Sequence, residues 1–119
     1  MNLQQMLSDQ ASCSDLLKCA YSLGDGEIET YRLLSSDGPM RTEEIAGSMG
    51  KKPSTVYRSL QRMLSCGMVI RETKNIEGGG YYYLYRAKSK DQLRTELEEC
   101  MNNWNRRIKE LLLRFEEDL

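Results

Sequence analysis

"GKKPSTVYRSLQRMLSCGMV" (residues 50–69) sets two lysines after a glycine, a proline where a helix would begin, and a second glycine before an apolar pair. Proline suits the first helical position, because an N–H there would have no partner inside the helix. Stepping about 100° per residue from Val56, Leu60 and Met63 fall on the same side, which predicts the buried face. Ser54, Arg58, Gln61 and Ser65 fall opposite, flanked by Thr55, Tyr57 and Arg62, and Gly67 closes the helix near Cys66. Taken alone, that outer face is what any solvated helix shows. The neighbouring segments decide how it is read.

Immediately upstream, Thr42 is the expected cap of a two-turn helix, with Glu43 and Glu44 in the first turn where the helix dipole favours anions. Ile45, Ala46 and Met49 form its apolar side and Gly50 ends it. Before it, Asp25 is the expected cap of a helix whose stripe is Ile28, Tyr31 and Leu34, with Leu33 beside them. Gly38 and Pro39 stop that helix, a residue that accepts positive φ followed by one that cannot continue. At the N-terminus Leu3, Met6, Leu7 and Ala11 make a weak amphipathic stretch. "SCSD" (12–15) interrupts it and offers Ser14 as the cap for Leu16, Leu17, Ala20 and Tyr21.

Downstream the period changes from helical to alternating. "MVIRETK" (68–74) and "YYYLYRA" (81–87) are rich in β-branched and aromatic residues and are joined by "NIEGGG", which predicts a hairpin. Tyr81, Tyr83 and Tyr85 share one face, while Tyr82, Leu84 and Arg86 share the other. Half-buried packing in the strand accounts for these tyrosines more simply than base stacking. Ser89-x-x-Gln92 is a capping box that opens a last helix. No glycine or proline follows, so it could run to Leu119, about 45 Å at about 1.5 Å per residue. Leu97, Met101, Trp104, Ile108, Leu111 and Phe115 are spaced as a heptad seam, widened by Leu93, Cys100, Leu112 and Leu119. A stripe of that length calls for a partner helix.

The chain has 119 residues, enough for one domain with helical extensions. Its net charge is −1, from 17 basic and 18 acidic residues. Locally the balance differs: Lys51, Lys52, Arg58, Arg62, Arg71 and Lys74 face Glu72 alone, a net of +5 between positions 51 and 74. Such a patch can hold phosphates in an otherwise acidic chain. No apolar run is long enough to span a membrane, and "MNLQQMLSDQ" lacks the features of a signal peptide, so a cytoplasmic protein is expected. There is no histidine, which removes Ser–His and Cys–His nucleophile pairs and HExxH zinc sites. Cys13, Cys19, Cys66 and Cys100 are widely spaced and suit reduced, buried thiols better than a metal site. "EGGGYYY" (77–83) lacks the lysine of a P-loop. No catalysis, metal or cofactor is expected.

The order helix, short helix, proline-capped helix, hairpin predicts a mainly α (α+β) winged helix-turn-helix. Its expected parts are an N-terminal helical extension (1–22), the winged domain (23–87) and a long C-terminal dimerisation helix (88–119). In this reading the 53–66 helix enters the major groove of double-stranded DNA. Arg58 and Arg62 would reach guanine or phosphate, and Gln61 adenine. Ser54 and Thr55 would meet phosphates at the helix start, with Tyr57 beside them. Lys51, Lys52 and Lys74 complete the expected contacts, and the glycine loop is the wing. Leu97, Met101, Trp104, Ile108, Leu111 and Phe115 form the expected homodimer interface.

The segment 22–87 also resembles the DNA-binding domain of TrmB-type regulators, found mainly in archaea, and is more distantly similar to MarR-type repressors. The resemblance rests on Leu23-Gly24, Glu29, Tyr31, Leu34, Gly38, Thr42, Glu44-Ile45-Ala46, Gly50, Val56-Tyr57, Leu60, Met63, Gly67 and Val69. It implies a dimeric, operator-binding transcriptional regulator. It does not extend to the large effector domain of the sugar-sensing members, so no sugar sensing is carried over, and the small-molecule effector is left open. The wing tip, Ile76 to Gly80, lacks the arginines such wings often use, and Lys52 stands where a Ser or Asp cap is common. Two other readings are a winged helix that binds protein through its tyrosines and long helix, and a thiol sensor acting through Cys66, Cys13 or Cys19.

Overall fold

The computed structural model describes residues 3–119. Met1, Asn2 and the Leu3 side chain, where the first apolar stripe was expected to begin, lie outside the described residues. The elements run α1 (Leu3–Met6), α2 (Cys13–Tyr21), α3 (Asp25–Asp37), α4 (Thr42–Met49), α5 (Pro53–Ser65), β1 (Val69–Asn75), β2 (Tyr81–Ala87), α6 (Lys90–Leu113) and α7 (Phe115–Asp118). This is the winged helix-turn-helix order, with N-terminal helices, a two-stranded wing and a long C-terminal helix. One compact unit ends at Ser89 and a second runs Lys90–Leu119. Both N-terminal helices belong to the first.

The core of the first unit is assembled from short local stripes. Ile28, Tyr31 and Leu34 of α3, Ile45 and Ala46 of α4, and Val56, Leu60 and Met63 of α5 are all buried. Met68, Val69 and Tyr85 close it from the sheet side. Burying each large aliphatic side chain contributes about 1.5–3 kcal/mol, so three such anchors hold α5 firmly on one side. The Tyr31 hydroxyl donates to the Lys88 carbonyl at 2.9 Å, fastening α3 to the end of the wing.

Caps fall one or two residues before the expected ones. Ser12, not Ser14, caps α2: its Oγ accepts from Asp15 N at 3.2 Å, and its own N–H donates to Asp15 Oδ2 at 2.9 Å. Ser14 instead accepts from Arg32 Nη2 at 2.7 Å. Gly24 takes the extended cap position of α3, and Asp25 enters the first turn and pairs with Lys18. Arg41 precedes α4, its N–H held by Glu44 Oε1 at 3.1 Å, and Thr42 is the first helical residue. In each case the acid is more effective inside the first turn, where it meets free N–H groups and the positive end of the dipole.

The turn between α4 and α5 depends on Gly50. Its φ of +64° lets Lys51 N bond Ala46 O at 3.0 Å, so the chain reverses without leaving the last carbonyls bare. The Lys52 carbonyl then accepts from Thr55 and Val56, and Pro53 occupies the first position of α5 as expected.

β1 and β2 pair antiparallel from Val69↔Ala87 to Asn75↔Tyr81. Gly78, Gly79 and Gly80 all have positive φ in the tip. Met40 adds an isolated antiparallel bridge to β2: it exchanges two backbone hydrogen bonds with Tyr85, at 3.0 and 2.8 Å. The segment leaving α3 is thereby stitched to the wing, a pairing that no local pattern announces.

The last helix is shorter than expected. α6 spans 24 residues, about 36 Å, and breaks at Arg114, whose N–H turns back to Leu111 O at 3.1 Å before α7 begins. That bond spans three residues and tightens the final turn; neither glycine nor proline explains the break. Along α6 and α7, Leu93 and Leu97 are buried, Met101 and Ile108 are half-buried, and Trp104, Leu111, Leu112, Leu113 and Phe115 are exposed. No helix among the described residues is long and apolar enough to cross a membrane.

Candidate nucleic-acid interface

The outer face of α5 presents Ser54, Tyr57, Arg58, Arg62 and Ser65 to solvent, with Thr55 half-buried. Val56, Leu60 and Met63 on the inner face are 2%, 0% and 0% exposed. The helix is therefore held by one side and free on the other. An open groove lined by Thr42, Glu43, Pro53, Ser54, Tyr57 and Arg58 runs along its start.

Acidic partners sort the expected cations into two groups. Lys51 Nζ lies 3.9 Å from Glu29, Lys74 Nζ lies 3.6 Å from Glu72, and Arg62 Nε lies 2.5 Å from Glu27. Lys52 and Arg58 have no acid within ion-pair distance among the described residues. Both are exposed, and they flank the first turns of α5. Glu72 also accepts from Arg86 Nε at 3.0 Å, and that bond holds its carboxyl below the usual carboxylate range.

Gln61 departs from its expected place. It is half-buried, and its amide nitrogen is shut off from solvent with no hydrogen-bond partner among the described residues. An adenine contact would require that amide to turn outward. Two arginines that periodicity did not single out stack on wing tyrosines, Arg71 from β1 and Arg41 from the connection before α4. The Arg71 guanidinium lies 4.2 Å from the Tyr83 ring centre, and Arg41 lies 4.3 Å from that of Tyr82. Arg71 was legible only as part of the local positive charge. Arg41 becomes visible once Met40 is paired with Tyr85. On the wing the tyrosines are graded from Tyr85, buried at 1% exposure, to Tyr81, exposed at 59%.

Cys66 sits at the end of α5, half-buried, with Sγ donating to Met63 O at 3.5 Å. Burial pushes its thiol above the ordinary value, the opposite of what a reactive thiolate needs.

A helix-turn-helix whose second helix exposes hydroxyls and cations, followed by a hairpin wing, defines a winged helix-turn-helix regulator. Residues 17–91 match the family model described as sugar-specific transcriptional regulator TrmB, and the chain belongs to that family. Two proteins of Methanocaldococcus jannaschii are similar to it. MJ1503 is 31% identical over 100 residues, covering 81% of this chain and 76% of its own length. MJ1082 is 33% identical over 104 residues, covering 87% and 86%. Among solved structures, a possible transcriptional regulator from Methanosarcina mazei Go1 superposes with a TM-score of 0.73 at 28% identity, over 87% of this chain and 88% of that one. The ST1889 protein of Sulfolobus tokodaii shares the fold, with a TM-score of 0.62 at 22% identity over 77% and 90%.

Proposed function

We propose that this chain is a transcriptional regulator that binds double-stranded DNA sequence-specifically as a homodimer, with α5 in the major groove. One observation carries the reading: α5 is anchored by three buried residues and turns Arg58, which has no acidic partner among the described residues, outward beside Lys52. Arg58 reads a base edge, while Lys52, at the cap of α5, holds a phosphate. The dimer is formed through Trp104, Leu111 and Phe115, which are exposed in the single chain. The same reading gives the chain no catalytic role and places it in the cytoplasm, where its DNA is.

The test selects bound duplexes from a randomised pool at stated salt, then compares Arg58→Ala and Lys52→Ala on the selected and scrambled duplexes across a salt series. Arg58→Ala is expected to cost about 1–3 kcal/mol on the selected duplex only. Lys52→Ala should weaken both alike and reduce the salt slope by about one for each phosphate it no longer neutralises. Equal proportional losses on both duplexes would overturn this division of labour. If wild-type protein selects no duplex, the wing tyrosines become the working surface for a protein partner.

A further inference from the structure

Glu27 is a carboxylate placed where a carboxylate is costly. Its residue is 5% exposed, on the same side of α3 as Ile28 and Tyr31. A buried charge survives only if paired. Glu27 has two compensations: it lies in the first turn of α3, where the dipole favours an anion, and its Oε1 accepts from Arg62 Nε at 2.5 Å. That is the ion pair Glu27 makes among the described residues. The Arg62 side chain is meanwhile 54% exposed. Its guanidinium is a rigid planar fork, so a grip on Nε fixes the plane of the whole group. With Nε on Glu27, the two Nη groups are the donors left for another partner, one helical turn beyond Arg58 on α5.

We propose that Glu27 is a positioning residue for DNA recognition, gripping Arg62 at Nε so that its Nη end is held out toward a guanine edge. A free arginine must surrender the entropy of a long side chain on binding, and one already fixed in plane surrenders less. Bidentate recognition of guanine O6 and N7 depends on that plane. The inference rests on the DNA-binding reading above and adds to it a residue that itself touches no DNA.

The test uses the full chain and the duplexes selected by wild-type protein, with scrambled duplexes as reference. Arg62→Lys is the main variant, since net charge is unchanged and a lysine can still pair with Glu27 but has no second edge to offer. Its unfolding midpoint is expected to stay near wild type, while the ratio of selected to scrambled affinity falls about fivefold or more. Glu27→Gln loosens the grip and is expected to lower the same ratio while strengthening scrambled binding, because a negative charge near phosphates has gone. The ratio cancels non-specific electrostatics, so a purely structural pair would leave it unchanged. An unchanged ratio in both variants overturns the proposal, as does an equal loss on both duplexes, which would make Arg62 a phosphate contact. Arg58→Ala separates the two readings: if it abolishes preference while both other variants keep it, only the role of Glu27 falls.

Discussion

Two kinds of residue share α5, and they should respond to mutation in opposite ways. Leu60 and Met63 are fully buried, so Leu60→Ala is expected to cost about 2–5 kcal/mol of stability in urea unfolding. Arg58→Ala touches nothing in the core and should change stability by about 0.5 kcal/mol or less, while its effect appears in DNA preference. Cys66 offers a separate check. Its thiol is pushed up by burial, whereas Cys13 and Cys100 are exposed. A raised value means less thiolate at any pH below it, so maleimide labelling at about pH 8 should modify Cys13 and Cys100 first. Cys66 should follow only at higher pH or on unfolding. Fast labelling of native Cys66 would revive the thiol-sensor reading.

At the scale of an element, the turn before α5 is the most constrained point. Gly50 has φ +64° with nothing within 4 Å of where a Cβ would stand. Gly50→Ala therefore meets no clash, and its expected penalty of about 1–2 kcal/mol is purely conformational. Gly50→Asn should recover part of that stability, because asparagine tolerates the left-handed region. Thermal unfolding of the two variants checks the order, and equal penalties would point to steric contact instead. The wing depends on pairing of a different kind. The Met40 bridge ties the α3–α4 connection to β2, so Arg41 and Tyr82 meet even though they come from distant parts of the chain.

For the whole molecule, the exposed apolar side chains of α6 and α7 carry the oligomeric expectation. Trp104→Glu puts a charge where a dimer would exclude water, and sedimentation equilibrium should then find a monomer at concentrations where wild type is dimeric. Operator affinity should fall with it, since two linked half-sites bind far more tightly than one. A wild-type monomer at tens of micromolar would remove the premise. The break at Arg114 ends the continuous helical seam at Leu111 and leaves Phe115 on α7, while Leu97 at its start is already buried in the single chain.

What the amino-acid sequence determined by itself was everything set by local spacing. The 3.6-residue stripe of Val56, Leu60 and Met63, the proline at the start of α5, the glycines that end α4 and α5, and the alternation around a glycine loop each act over a few residues. Together they define the winged helix-turn-helix. Caps were less legible, because Ser12 and Ser14, Gly24 and Asp25, or Arg41 and Thr42 differ only in which one takes the extended backbone. That choice depends on how the chain enters the helix. Only tertiary structure decided the long-range pairs: Met40 with Tyr85, Arg41 on Tyr82, and Arg62 with Glu27, 35 residues apart. Periodicity says which side of a helix is outward. It cannot say which outward cation already has a partner, because charges pair through space and the chain brings them together only when the core has closed.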